Sequence, residues 1–489
     1  MISLINQKNK LPKELLDLLT TLNSAGFESY LVGGCIRDLL RDIQPKDWDI
    51  TTSAIPEEIQ NLFPDSFYTN TFGTVGVKTE TLGVVEITPF RTESNYSDGR
   101  RPDTVTFTKD VQEDLKRRDF TINAIAYNPV TDSLIDLFGG IKDIEASLVK
   151  AVGNGEDRFA EDGLRILRMV RFAAQLNFSI DTDTLMAAIA QKDTLKLIAK
   201  DRIRDELVKI LLSKYASTAF LYMKNMGILS YISKHLEESV NIKQNGCHAY
   251  DVFEHLIRSM QCAVDKEYPL EIRLAALFHD IGKPPTRQWS NEKKDYTFYG
   301  HEVVGAKITK SILQDLNFSR ETIEKTVKLV RWHMFFSDTE QITPSAVRRM
   351  IANVGRDNIW DLINLRICDR VGTGRPKEDP YRLRKYMSLI EEVLSDPTDV
   401  SMLKVSGNDL IQELSLTPGP IIGKILHVLL EKALVDPTIN TKGLLLAEAK
   451  NLLTLSPTEL ETLTEQALEA KKDKEKEVKD IIKKKYKVS

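Results

Sequence analysis

The chain has 489 residues, 42% of them hydrophobic and 28% charged, with a formal net charge of −4. Such a composition excludes a disordered chain and, at about 150 residues per domain, predicts three or four domains with ample core; the near-neutral balance leaves an RNA partner open, because a basic patch can sit on a mildly acidic protein. Cys35, Cys247, Cys262 and Cys368 lie far apart without a C-x-x-C pair, the N-terminal MISLINQKNKLPKELL is polar where a signal peptide is apolar, and no run approaches the ~20 apolar residues of a membrane span, so no structural zinc, no membrane and a cytoplasmic setting are expected.

The first predicted elements already carry chemistry. Tyr30-Leu31-Val32 reads as a strand, Gly33 and Gly34 turn it into a short helix, and after a spacer come two carboxylates, Asp47 and Asp49, on either side of Trp48. Glycines lack Cβ atoms and let backbone N–H groups approach a phosphate. On a strand the i, i+2 spacing puts both carboxylates on one face, where they repel unless a cation lies between them, and hard oxygen ligands suit Mg2+. Either motif alone is also an ordinary turn or a solvated strand edge. In this order they point to a metal-dependent transfer to or from a nucleoside triphosphate.

Downstream, β-branched runs at Thr74 to Thr79 and Val84 to Thr88 alternate with helical patterns such as Pro56 to Phe63, which predicts a mixed sheet with helices, an α+β fold. Thr88 to Asp103, rich in Gly, Ser and Asp and carrying Arg91, Arg100 and Arg101, reads as a surface loop. Arg117-Arg118-Asp119-Phe120-Thr121-Ile122-Asn123 then combines guanidinium groups suited to phosphate with a carboxylate and an amide suited to ribose hydroxyls.

From Asp157 the pattern is almost wholly helical. In EDGLRILRMVRF, Asp162, Arg165, Arg168 and Arg171 recur every three residues along one ridge, while Leu164, Leu167, Val170 and Ala174 face another side. An Asp162 acceptor beside an Arg165 donor matches the edge shared by cytosine and adenine; guanine and uracil present the reverse order and would leave buried groups unpaired at ~1–3 kcal/mol each. A bare Asp–Arg pair at this spacing is also an ordinary surface salt bridge. Arg204 and Glu206, in the next helical segment, read as structural.

A second constellation occupies residues 248 to 370. Of seven histidines, four fall at His255, His279, His301 and His333, with Asp280 directly after His279 and Asp369 further on. Imidazoles and carboxylates from separate helices form a ligand set for a divalent transition metal, and His-Asp adjacency lets both reach one ion. Breaks near Asn241 to Gly246 and Gly372 to Pro380 mark boundaries, after which amphipathic helices such as Asp409 to Leu414 and Ile421 to Ala433 bear no reactive cluster. The last 19 residues, from Lys471, hold nine Lys against four acids with little to bury, which reads as a solvated, frayed helix end or as an RNA-binding tail. The domains expected are 1–153, 154–240, 241–372 and 373–470, followed by that Lys-rich tail.

The GG-x-x-RD turn from Gly33 to Asp38, the Asp47-x-Asp49 pair, RRDFTINA and EDGLRILRMVRF, in this order, resemble the bacterial class II tRNA nucleotidyltransferases, which share a polymerase-β-type catalytic head with poly(A) polymerases and build the CCA end of tRNA from CTP and ATP without a template. The resemblance covers roughly residues 25 to 215. It implies Asp47 and Asp49 as Mg2+ ligands with Glu86 as a third carboxylate, Gly33, Gly34 and Arg37 at the triphosphate, Arg118, Asp119 and Asn123 near sugar and phosphates, and Asp162, Arg165, Arg168 and Arg171 along a nucleotide-reading helix in an all-α neck. The loop before Asp103 implies addition of the terminal A, and residues 376 to 470 would hold the tRNA elbow. His255, His279-Asp280 and Asp369, with Lys283, likewise resemble the HD phosphohydrolases, with His301 and His333 completing a second ion. Three alternatives stay open: addition of A alone, poly(A) synthesis, or an HD phosphohydrolase whose N-terminal half binds RNA.

Overall fold

A computed structural model describes residues 11–69, 73–94, 104–245, 249–335, 343–374, 378–394 and 403–488. The chain divides into two compact units, residues 1–333 with 364–375, and residues 334–363 with 376–489. Among the described residues, no helix is long and apolar enough to cross a membrane.

The first unit begins with α1 (Lys13–Ser24), whose Leu15, Leu18, Leu19 and Leu22 are buried at helical spacing. It precedes a seven-stranded sheet built from β1 (Ser29–Val32), β2 (Asp49–Thr52), β3 (Ser66–Tyr68), β4 (Val75–Lys78), β5 (Val84–Pro89), β8 (Ala126–Asn128) and β9 (Ser133–Ile135), in the order β3-β4-β5-β2-β1-β8-β9. The sheet is mixed, as expected: β2 and β5 pair in parallel, the other neighbours antiparallel. A hairpin of β6 (Arg91–Ser94) and β7 (Thr104–Phe107) leaves it, and α2 (Gly34–Leu40), α3 (Pro56–Leu62), α4 (Val111–Lys116) and α5 (Gly140–Glu145) surround it. Val32, Phe90, Val111, Leu115 and Ala126 form the core under α4.

A two-stranded parallel pair, β10 (Leu148–Val149) with β11 (Ser179–Ile180), brackets α6 (Gly155–Glu161) and α7 (Leu164–Leu176). From there the unit is helical: α8 (Thr182–Ala190), α9 (Lys200–Leu211), α10 (Ala216–Met226), α11 (Leu229–Ile232), α12 (Lys234–Glu238), α13 (Val252–Asp265), α14 (Leu270–Phe278), α15 (Lys283–Thr286), α16 (His301–Asp315) and α17 (Arg320–Trp332), interrupted by the hairpin β12 (Gln288–Ser290) and β13 (Asp295–Thr297). After α18 (Pro344–Val354), the helix α19 (Ile359–Gly372) supplies its second half to this unit.

The second unit contains α20 (Tyr381–Leu394), α21 (Gly407–Leu414), α22 (Pro420–Val435), α23 (Lys442–Leu453) and α24 (Pro457–Tyr486), packed around Leu410, Ile425, Leu429, Leu445 and Leu460. Lys471 lies inside α24, a 30-residue helix begun by a Ser456–Glu459 capping box. The expectation of a frayed Lys-rich end is therefore corrected. Ile482 is buried, Lys485 and the Tyr486 hydroxyl bind Glu391, and Arg384 donates to the Tyr486 carbonyl at 2.9 Å, so apolar and polar contacts with α20 anchor this end.

α5 starts tightly against the RRDFTINA segment. Asp136 accepts from the Gly140 and Ile141 amides, and a Cβ on Gly140 would lie 2.2 Å from the Thr121 carbonyl oxygen. Gly140→Ala is expected to destabilise the head by about 1–3 kcal/mol, the cost of overpacking against backbone that cannot rotate away, read as a lower urea midpoint.

Candidate functional site

The turn from β1 into α2 places Gly33 at φ +81°, ψ −136°, a conformation open chiefly to glycine. A Cβ there would stand 3.4 Å from Arg118 Nη1 and 3.7 Å from Asp49 Oδ2, so the turn lies directly against a carboxylate and a guanidinium. Asp49 opens β2, half-buried, and the parallel register sets Glu86 of β5 opposite it. Burial is the largest influence raising the Asp49 pKa; Arg118 opposes it, while Glu86 and Asp47 push it further up. The strand itself begins only at Asp49, but Trp48 turns into the core between an exposed Asp47 and a half-buried Asp49, the alternation that the i, i+2 spacing predicts. Asp47, Asp49 and Glu86 do not close to within 4.8 Å as a set; Asp47 and Glu86 are exposed.

Arg118 is held there by Asp114, a fully buried carboxylate of α4. Asp114 Oδ1 accepts from Arg117 Nε and Nη2 at 2.9 and 2.7 Å, and Oδ2 from Arg118 Nη2 at 3.3 Å and Thr51 Oγ1 at 3.2 Å. Burial raises its pKa, but the two guanidinium groups outweigh burial and the net direction is down.

A second chain of polar contacts runs from the turn to the neck. Arg37 Nη1 donates to Asn123 Oδ1 at 2.9 Å, Asn123 Nδ2 donates to Asp119 Oδ1 at 3.1 Å, and Asp119 Oδ2 receives Arg168 Nε and Nη2 at 2.8 and 2.5 Å. Burial alone would raise the Asp119 pKa; Arg168 and Asn123 together bring it down to about 2. The Phe172 ring has the guanidinium carbons of Arg37, Arg168 and Arg171 at 5.4, 5.5 and 4.4 Å from its centroid. Arg171 lies 2.8 Å from Glu206, an ion pair whose N–H is not aligned for a hydrogen bond, which is the structural role expected of Glu206.

The ridge beginning at Asp162 is also corrected. Asp162 is extended and sits before α7, where its side chain accepts from the Leu164 amide and from Arg202 Nη2 at 2.8 Å. Arg165 pairs instead with Glu161 at 2.5 Å and donates to the Arg158 and Arg117 carbonyls at 3.0 and 2.9 Å. The helical run is broken at Asp162 itself, while Gly163 is already helical, so each of the expected base-reading groups has its own partner and is fixed independently. Arg204 donates to the Asn317 carbonyl at 2.6 Å, away from these residues.

In the helical part of the first unit, six buried ligands converge in two sets, His255, His279 and Asp369, and Asp280, His301 and His333. Asp280 joins them: Oδ2 faces His255 and His279 Nε2 at 3.1 and 3.4 Å, and Oδ1 faces His301 and His333 Nε2 at 3.2 and 3.6 Å. His279, His301 and His333 each point Nδ1 at the carbonyl three residues earlier, at 2.9, 2.7 and 2.7 Å. That contact puts the proton on Nδ1 and turns the Nε2 lone pair inward, the arrangement of metal-ligating histidines. His255 and His279 Nε2 then meet at 2.9 Å, which only a shared proton or a cation can hold. Burial opposes a charged His279, but Asp280 and Asp369 raise its pKa to about 10, a proton standing where a metal would. Lys283 Nζ bridges Asp280 and Gln244, at 2.5 and 2.6 Å.

Three family models match the chain, a poly A polymerase head domain over residues 29–150, a probable RNA and SrmB-binding site of polymerase A over 177–239, and an HD domain over 251–371. The CCA-adding enzyme of Ligilactobacillus salivarius is 32% identical over 442 residues, covering 90% of this chain and 96% of that protein, and that of Leuconostoc mesenteroides is 31% identical, covering 88% and 95%. The chain belongs to the CCA-adding enzyme family. The fold agrees: a Bacillus stearothermophilus CCA-adding enzyme in complex with CTP superposes with a TM-score of 0.57 at 24% identity, covering 90% of this chain and 96% of that one. The family's nucleotidyltransferase head implies a divalent metal, and the carboxylates around Asp49 and the set around Asp280 are both chemically suited to one.

Asp114, Glu161, Arg202 and Phe172 were missed in the sequence. An acid three and four residues before an Arg-Arg pair was the available signal for Asp114; the other three depend on tertiary placement. Arg100, Arg101, Asp103 and Cys247 lie outside the described residues. Asp119, depressed to about 2 from an unfolded value near 4, contributes stability that is present above about pH 4 and lost as pH falls toward 2. Asp119→Asn is therefore expected to be less stable than the parent by roughly 2 kcal/mol at pH 7, with the difference in urea midpoint shrinking below about pH 4.

Proposed function

We propose that this protein adds CCA to the 3′ end of tRNA from CTP and ATP in the cytoplasm, with catalysis in the head (residues 1–153) and nucleotide reading in the neck (154–240). The observation that carries this reading is the contact of the Gly33 turn with Arg118 and Asp49, across from Glu86 in register: a phosphate-binding turn, a cation and paired acids in one place. The end-to-end match to CCA-adding relatives favours this reading over poly(A) synthesis or a mainly hydrolytic protein, and over addition of A alone.

Asp47, Asp49 and Glu86 are the residues to hold Mg2+, which when bound lowers the pKa of the RNA 3′-hydroxyl and neutralises the departing pyrophosphate. Gly33 and Gly34 admit the triphosphate close to backbone amides. Arg37 and Arg118 face its charge, each already oriented, by Asn123 and by Asp114. Asp119 and Asn123 stand where ribose hydroxyls are read. Asp162 accepts from the exocyclic amino group of cytosine or adenine while Arg165 donates to the neighbouring ring nitrogen; Arg202 and Glu161 hold the two in place before a nucleotide arrives, so little reorganisation is needed on binding. Arg168 and Arg171 extend the positive face of α7.

The Asp280-bridged cluster supports a second activity. His255, His279 and Asp369 would hold one divalent transition-metal ion and Asp280, His301 and His333 a second, and such ions would supply Lewis-acid chemistry suited to phosphoester hydrolysis. The residues fit such a pair, since three Nε2 lone pairs are turned inward by their Nδ1 contacts.

Incubation with Mg2+ and a tRNA transcript lacking CCA, with CTP alone or with CTP and ATP, is expected to yield CC and CCA ends on sequencing; long A tails, or A only on CC-ended tRNA, would overturn the assignment. Asp49→Ala is expected to lower the addition rate by on the order of 10³ or more, about 4 kcal/mol of transition-state stabilisation, with tRNA affinity retained. His279→Ala is expected to leave CCA addition intact and to lose tightly bound metal by mass spectrometry of the whole chain.

A further inference from the structure

The hairpin β12–β13 is not used by either reading above. It lies between α15, whose Lys283 contacts Asp280, and His301, the first residue of α16. Trp289 and Tyr296 are cross-strand partners, their rings edge to face at 5.2 Å, and the Arg287 guanidinium carbon sits 3.6 Å over the Tyr296 ring. Trp289 is 56% exposed and Tyr299, just beyond the hairpin, 73%. Lys293 Nζ lies 2.8 Å from the Tyr299 hydroxyl.

A short hairpin is marginal in water and gains from an aromatic pair, which accounts for Tyr296 and part of Trp289. That explanation does not reach Tyr299, which belongs to neither strand. Nor does it reach Arg287: among the described residues its guanidinium has no acidic partner and no side-chain hydrogen bond, and it is held by stacking alone. An exposed indole beside a stacked, unpaired guanidinium is suited to a flat ring and a phosphate together. We propose that this hairpin is a stacking site for single-stranded RNA, taking an unpaired base on Trp289 and a neighbouring phosphate on Arg287, with Tyr299 and Lys293 extending the surface.

The placement has a consequence. Arg287 follows a single helical turn after Lys283, a rise of about 6 Å. At the other end the Phe298 carbonyl accepts from His301 Nδ1 at 2.7 Å and the Phe298 ring lies 5.7 Å from Lys283 Nζ. Both roots of the hairpin are thus fixed to residues of the Asp280 cluster, and a strand held on it runs beside that cluster. The proposal does not require the cluster to turn over any substrate.

The test is photocrosslinking of the full-length protein with a 4-thiouridine-containing pentaribonucleotide, followed by peptide mapping. A crosslink to the peptide spanning Arg287 to Tyr299 is expected. Trp289→Ala should reduce it by about 5- to 100-fold, the range one base–aromatic stack is worth, while Trp289→Phe retains most of it. An abasic oligonucleotide of equal length should compete poorly, and Arg287→Ala should weaken capture and its salt dependence together. CCA addition by the Trp289→Ala protein reports that it is folded, and His279→Ala, which removes the cluster's metal, should leave the crosslink in place, so the two readings fail separately. Crosslinks confined to other segments, equal capture by Trp289→Ala, or equal competition by the abasic strand would each overturn the proposal.

Discussion

Asp119 is the residue on which the head and neck most depend. A buried carboxylate must be paired or it becomes neutral, and Asp119 is paired on both oxygens, with Asn123 on one and Arg168 on the other. Through Asn123 it reaches Arg37 beside the glycine turn; through Arg168 it reaches the helix Leu164–Leu176. Arg37 beside the glycine turn and Arg168 on the neck helix therefore belong to one hydrogen-bonded path. Phe172 supplies the packing for that path, with three guanidinium groups ranged about one ring. Three like charges so close together are tolerated because Asp38, Asp119 and Glu206 each neutralise one of them.

Asp114 solves a related problem with different means. It lies on the preceding helix, takes two consecutive arginines and reaches Thr51 on the central strand. Arg118 is then presented to Asp49 from a fixed direction, and the half-buried acid is not left with only Glu86 and Asp47 for company. A half-buried carboxylate whose pKa is raised first by burial and then by neighbouring acids, set against a guanidinium that is held elsewhere, has a net need for positive charge. That need is what a divalent ion meets.

Much of this was legible in the sequence because motifs suited to phosphates or metals use side chains that have few other reasons to recur in order. The glycine pair, Asp49, the Arg118-Asp119 step and His279-Asp280 were all found that way, and the mixed sheet followed from alternation in the runs that became β4 and β5. What failed was local geometry. Asp162 and Arg165 have helical spacing, but Asp162 is extended and lies outside the helix, and each side chain goes to a different partner. Asp47 and Asp49 keep the alternation that strand spacing implies, with Trp48 buried between them, although the strand itself starts two residues later, at Asp49. The Lys-rich end appeared to have little to bury, yet Ile482 and Tyr486 are enough to seat it, since a few apolar contacts at the right phase outweigh composition. Arg202 and Glu161 escaped notice because their role is to hold another residue still, and that role has no signature in spacing.

The Asp280 cluster differs from the head in how it is built. In the head, Asp47 and Glu86 are exposed and Asp49 is half-buried beside Arg118. Around Asp280 every ligand is buried, and His279, His301 and His333 have their outer nitrogens fixed by the backbone carbonyls three residues earlier. A site of that kind has its entropy cost met during folding and offers ions a preformed set of lone pairs, so it suits tightly held metals rather than ones exchanged at each turnover. A chain that carried the second unit and the neck only to bind RNA would have no use for so exacting an arrangement. The hairpin that carries Trp289 and Arg287 is rooted on that same arrangement, through Phe298 and Lys283.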